Sequence, residues 1–211
     1  ELLKRIEAEK KRMVKEGMIK APKTFVKIQK SKIPNALPAT WAWSNLSQLG
    51  LVNPRNSVGN DLEAGFIPMP LISSEYGKIP SFQIEKWGNI KSGFTHFAEN
   101  DVGLAKITPC FQNSKAAIFR RLPNGIGAGT TELHVFRDIT QSLCCDYVYL
   151  FIKTPQFLSD GEKVMTGSAG QKRVPSEYFA FTSFPLPPLA EQKRIVGKVG
   201  ELMTLCDQLE A

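Results

Sequence analysis

The chain has 211 residues, 42% hydrophobic and 22% charged, which is enough to bury a core without disulfide staples. No apolar run approaches the ~18–20 residues of a membrane-spanning helix, and the amino terminus lacks the apolar centre of a secretory signal. The net charge of +7 is confined to residues 1–32, which hold 11 Lys/Arg against 4 Asp/Glu; phosphate, an acidic partner protein and solvent are all open to such a segment.

Residues 1–16 predict a helix, with Leu2, Ile6 and Met13 near one face and Lys15 before a Gly17 stop. Residues 17–38 carry Pro22, Pro34 and Pro38 among lysines and predict an extended linker, so 1–38 forms a basic helix and linker. Trp41 and Trp43 then open a folded unit over 39–185. It is punctuated by Gly, Pro and Asn, with strand-like runs at Phe66–Met69, Val102–Ile107, Ala116–Phe119 and Glu132–Phe136 and a helix at Ser142–Lys153. This pattern predicts a compact α+β domain, rich in β structure and long loops. The segment 186–211 predicts a last helix from about Leu189. Its Ile195, Val199, Leu202, Cys206 and Leu209 recur at 4, 3, 4 and 3, a heptad seam widened by Val196 and Met203. Gly197 and Gly200 each weaken a helix by roughly 1 kcal/mol relative to Ala, so packing must hold it. The chain lacks an initiator Met, and both end helices look cut, which suggests a longer protein with more helix beyond each end.

Cys110, Cys144, Cys145 and Cys206 form no C-x-x-C pair and no zinc-ligand spacing with His96 or His134, and read as reduced, partly buried thiols. His134 alternates with apolar neighbours and reads as a satisfied strand histidine. Asn53-Pro-Arg-Asn lacks the second Pro and the aromatic of a methyltransferase motif, and no carboxylate pair suggests a nuclease. Catalysis finds no support.

Pro185–Val196 (PLPPLAEQKRIV), continuing through Glu201–Glu210, resembles the start of a conserved helix in specificity subunits of type I restriction-modification systems. Glu99–Lys115, Gly129–Arg137 and Met165–Pro175 resemble parts of the target-recognition domains of that family. Leu2–Lys10 and Leu37–Trp43 are similar to it as well, in order along the chain. The resemblance implies that two recognition domains pair through an antiparallel coiled coil of flanking helices, each reading half of a bipartite DNA site. It further implies that separate modification subunits bind S-adenosylmethionine and methylate adenine, while restriction subunits translocate and cleave. The chain itself would be non-catalytic, cytoplasmic and without a cofactor. Its partners would be double-stranded DNA, the methyltransferase subunits, indirectly the restriction subunit, and a second recognition domain or second copy held through the helices.

A duplex reader needs cations for phosphates and amide or guanidinium groups for base edges. Gly167–Arg173 supplies both: Ser168 and Lys172 for phosphate, Gln171 for adenine and Arg173 for guanine; a polar surface turn is the plain alternative. Gly125–Thr131, with Thr130 and Thr131 as donors, reads as a flexible hairpin near DNA or as a purely structural loop; it is neither a complete nucleotide-binding fingerprint nor a P-loop. Lys106, Lys115, Arg120 and Arg121 are candidate phosphate contacts or solvated surface, and Gln112 and Asn113 are base readers or turn caps. Ile195, Val199, Leu202, Cys206 and Leu209 are expected to hold two modules together against the weaker stripe of residues 2–13, or else to pack on their own domain. Two rival readings stand beside DNA recognition. One is a helical scaffold for the modification subunits, favoured by the neutral charge of residues 33–211. The other is a recognition domain from a fused restriction–methylation enzyme.

Overall fold

The computed structural model describes residues 2–17, 19 and 36–210; most of the expected linker lies outside the described residues. The first helix, α1 (Leu2–Lys15), forms where the periodicity places it. Its Ile6 is fully buried and Lys10 nearly so. The Lys10 ammonium donates to the carbonyls of Ser47 (2.6 Å) and Gly50 (2.9 Å), at the end of α2 (Leu46–Leu49). One cation of the basic segment is thus a buried helix cap, meeting neither phosphate nor solvent. Burial lowers its pKa.

Strand β1 (Ala42–Ser44) pairs antiparallel with β10 (Phe184–Leu186), Ala42 opposite Leu186, so the chain leaves the folded unit beside the point where it enters. Between them lie two four-stranded sheets. The first has the order β2 (Leu51–Val52), β9 (Leu133–Arg137), β6 (Val102–Ala105), β7 (Ala116–Ile118), antiparallel throughout. The second runs β4 (Gln83–Lys86), β3 (Glu63–Ile67), β8 (Ile126–Gly129), β5 (Thr95–Ala98), with β3 and β8 parallel. A short helix, α3 (Trp87–Ile90), follows β4 and buries Trp87 and Ile90.

Strands β6, β7 and β9 of the first sheet alternate between two cores. Val102, Leu104 and Phe136 face a helical layer of α1, α2, α4 (Cys145–Ile152), α5 (Pro155–Lys163) and α6 (Ser176–Phe181). Ala105, Ala117 and Val135 face the second sheet with Phe97 and Phe119. Those two rings stack with centroids 3.8 Å apart and planes 14° from parallel. A Cβ on Gly103 would lie 2.6 Å from Phe119, and one on Gly127 2.3 Å from Phe97. The glycine run expected as a flexible hairpin or loop is therefore an interior strand, β8. Its glycines are there because rings and a neighbouring strand lie where side chains would be.

The strand expected at Phe66–Met69 ends at Ile67, because Pro68 cannot continue the ladder. The helix expected over Ser142–Lys153 is α4. Helices α5 and α6 went unanticipated, although Thr154 caps α5 by accepting the Phe157 N–H at 3.3 Å and Pro155 takes the first turn.

The last helix, α7 (Leu189–Glu210), passes through Gly197 and Gly200 unbroken. Its first half packs on its own domain: Ile195 and Val196 lie against the helical core. The buried Gln192 accepts the Cys144 N–H and donates to the Pro187 carbonyl, both at 2.9 Å. In its second half Leu202, Leu205 and Leu209 are 50%, 54% and 88% exposed, and Cys206 is exposed too. The expected seam is thus divided: Ile195 is engaged, Val199 half-buried, and no described residue covers the rest. Lys10→Met keeps the apolar stem but strands the carbonyls of Ser47 and Gly50; we expect a loss of about 1–3 kcal/mol, read as a lower urea midpoint.

Candidate nucleic-acid interface

At one end of the first sheet three segments meet. Strand β6 runs out into Lys106, whose N–H donates to the Glu132 carbonyl (2.9 Å) just before β9. Thr130 and Thr131 form the turn from β8 into β9, with the Thr130 hydroxyl accepting the Glu132 N–H. The third segment follows α5: Thr166 and Arg173 exchange both backbone hydrogen bonds, making the stem of a hairpin. Thr108 N–H to Lys172 O and Val174 N–H to Lys106 O, both 2.9 Å, weld that stem to the chain after β6. Residues 167–172 form its exposed tip, closed by Gln171 N–H to Ser168 O. Gly167 and Gly170 have φ of 123° and 76°, which L side chains rarely adopt.

His134 anchors this arrangement from below. Its Nε2–H donates to the Val174 carbonyl (2.9 Å), and its ring stacks on Phe179. Nδ1 is buried without a partner. Burial, opposed by the Val174 bond, lowers its pKa and holds it neutral. The sequence reading of His134 as a satisfied strand histidine holds at one nitrogen.

The structure thus brings together Lys106, Thr130, Thr131, Ser168, Gln171, Lys172 and Arg173. The side chains of Ser168, Gln171 and Lys172 have no hydrogen-bond partner among the described residues. Arg173 differs from a free cation. Its Nε and Nη2 donate to Glu132 at 2.9 and 2.8 Å, and Nη1 donates to the Gln171 carbonyl at 3.0 Å. The Arg173 hydrogen bond holds the Glu132 carboxyl below its ordinary pKa. Lys115 stands at the same sheet end, its carbonyl accepting the Ala105 N–H. Gln112 and Asn113 are exposed on the turn between β6 and β7, where the Gln112 amide reaches the Thr108 hydroxyl at 3.5 Å.

Arg120 departs from this group. It lies past the opposite end of β7, where Asp146 holds it at 2.7 Å and Cys145 Sγ at 3.5 Å. Its charge is matched by Asp146 on α4, at a place apart from the hairpin.

Arg55 is a residue that nothing in the Asn53-Pro-Arg-Asn stretch singles out by spacing; its Nη1 donates to the Phe94 carbonyl at 3.3 Å and lies 3.1 Å from His96 Nε2. Asn53, at φ 51°, accepts the Val135 N–H and turns the chain so that Arg55 is exposed. With Phe94, Thr95, His96, Lys106 and Thr131 it lines a groove of about 350 Å³ that contains no carboxylate. His96 accepts the Asn56 N–H at Nδ1 and meets the Lys91 carbonyl at 2.8 Å; burial lowers its pKa, offset by the Lys91 bond. A second cavity, of about 980 Å³, is lined by Trp43, Phe157 and Tyr178, and its charged residues are Asp160 and Glu177. Among the described residues no cluster of His, Cys, Asp or Glu is placed to hold a metal, and no helix is long and apolar enough to cross a membrane.

No family model matches the chain. Two curated relatives from Escherichia coli, the type I restriction enzyme EcoEI and EcoAI specificity subunits, are each 52% identical over all 211 residues. The chain spans 36% of the length of each. An HsdS subunit from Thermoanaerobacter tengcongensis superposes with a TM-score of 0.68 at 24% identity, over 85% of this chain and 46% of that one. A chain from a structure addressing complex assembly and conformational transition of the type I R-M system gives 0.60 at 15% identity, over 97% and 47%. At these identities the two solved structures show a shared fold.

Both histidines present are held with pKa below the ordinary 6.5. Below that value the unfolded chain binds protons that the fold excludes, so their stabilisation is complete above pH 6.5 and is lost as pH falls through the folded pKa. The urea midpoint should drop on acidification across this range. His134→Phe, which keeps the ring against Phe179, should flatten part of the drop; an unchanged profile would contradict the assignment.

Proposed function

Because this chain is homologous over all its 211 residues to type I restriction specificity subunits, we propose that it reads one half of a bipartite double-stranded DNA site. The observation that supports this best is the convergence, at one sheet end, of unspent donors on a hairpin whose stem is welded to β6. Arg55, Lys106 and Lys172 are suited to phosphates, with Thr131 and Ser168 as hydroxyl donors, and they orient the protein without conveying sequence. Gln171, at the exposed tip, carries an amide able to pair with adenine N6 and N7. A welded stem matters here because base contacts discriminate only if donors are already in place.

We propose no catalytic role and no cofactor for the chain. Methylation with S-adenosylmethionine falls to partner modification subunits, cleavage to a restriction subunit, and the complex works in the cytoplasm. The uncovered stripe of Leu202, Leu205, Cys206 and Leu209 favours a further role, in which α7 pairs with a helix of a second recognition domain or second copy. Recognition and assembly are then divided between the hairpin and the helix.

Selection from a randomised duplex library, with and without a modification subunit, tests the reading. Enrichment of one short motif is expected. Gln171→Ala should relax one base pair of it by about 1–3 kcal/mol. Lys172→Ala should weaken all duplexes alike and reduce the salt slope by about 1. A folded chain that enriches nothing under both conditions would leave only the scaffold role.

A further inference from the structure

Resting on that DNA-reading assignment, a specific division of the Arg173 guanidinium can be drawn. A guanidinium has five N–H donors. Glu132 takes the Nε–H and one on Nη2, and the Gln171 carbonyl takes one on Nη1. One N–H is left on each terminal nitrogen. The side chain is 42% exposed while Glu132 is only 23% exposed, so the carboxylate lies behind and the guanidinium reaches outward. The backbone is equally fixed. Arg173 bonds Thr166 on both sides, its neighbours Lys172 and Val174 bond Thr108 and Lys106, and His134 grips the Val174 carbonyl. Much of the rotamer freedom of a long arginine side chain has thus been surrendered before any ligand arrives.

We infer that Glu132 is a positioning residue for sequence reading: it holds Arg173 so that the two remaining N–H groups meet O6 and N7 of a guanine in the major groove. Guanine alone presents two acceptors side by side there; adenine, cytosine and thymine offer at most one. Glu132 touches no DNA in this scheme. It also cancels the arginine's charge, which weakens attraction to phosphates at large and leaves recognition to geometry. A phosphate has two acceptors as well, and the test separates the two.

The full chain is first used to select a motif, and affinities are then measured for that site and for every single base-pair change in it. The wild type should prefer guanine at one position by about 5- to 150-fold, the range of a good bidentate contact. Arg173→Lys keeps the charge but loses the fork, and should erase that preference while retaining the salt dependence. Glu132→Ala should relax the same position, with unchanged or tighter binding to unrelated duplexes, and Glu132→Gln, which keeps one acceptor, should restore part of it. Uniform weakening on all duplexes would place Arg173 on phosphate and overturn the inference. So would a motif whose guanine preference survives Glu132→Ala, or substitutions at 132 and 173 that relax different positions. In each of those cases DNA reading itself stands. A wild-type chain that selects no motif removes both. Should Glu132→Ala fail to fold, Arg173→Lys and Glu132→Gln carry the same comparison.

Discussion

A stacked pair of rings sits in the core between the two sheets, and the neighbouring strands are built around it. Phe97 from β5 and Phe119 after β7 lie 3.8 Å apart between strands that present glycine and alanine where they pass. A protein interior is packed as densely as an organic crystal, so a methyl group at Gly103 would displace the Phe119 ring, and one at Gly127 would meet both Phe97 and the Gly65 carbonyl. The stack thereby fixes how β6 and β8 lie relative to one another. Lys106 leaves the end of β6, and Thr130 follows β8 directly. The exposed hairpin is hydrogen-bonded to the chain leaving β6, and so stands on a strand packed against this contact.

Charge is distributed by the same economy. Residues 33–211 are neutral in sum, which taken alone argues against a polyanionic partner. The sum conceals the arrangement. Asp101 is buried against Arg137 at 2.7 Å, Asp146 holds Arg120 and Glu132 holds Arg173, so three carboxylates are committed to arginines. Arg55, Lys106 and Lys172 are not matched in this way, and the first two share a groove without an acid. Pairing inside the domain leaves these three cations without an ion-pair partner among the described residues, which no count of residues can register.

Periodicity made both flanking helices legible, and short strand-like runs marked β6, β7 and β9. The hairpin tip also stood out, because glycines beside Ser, Gln, Lys and Arg have few uses within a core. Strand β8 was hidden for the opposite reason: a strand pressed between rings and a neighbouring backbone is stripped of side chains until it looks like a loop. Helix α5 was masked by Gly161, whose missing Cβ makes room for Phe111. Arg55 and the partnership of Glu132 with Arg173 depend on contacts across 41 residues of sequence, a distance over which spacing carries no signal. The division of α7 into a packed and an uncovered half is likewise invisible in a heptad, which repeats identically whether its partner is a domain or another helix.

The pairing of β1 with β10 bears on how such a molecule tolerates change. Because the folded unit opens and closes at one place, the helices on either side experience everything between Ser44 and Phe184 as a short bridge of constant span. Lengthening a connection inside it adds only a logarithmic loop term and does not move the bridge. What lies between the two strands is therefore free to vary in sequence and bulk while the β1–β10 pairing keeps its place.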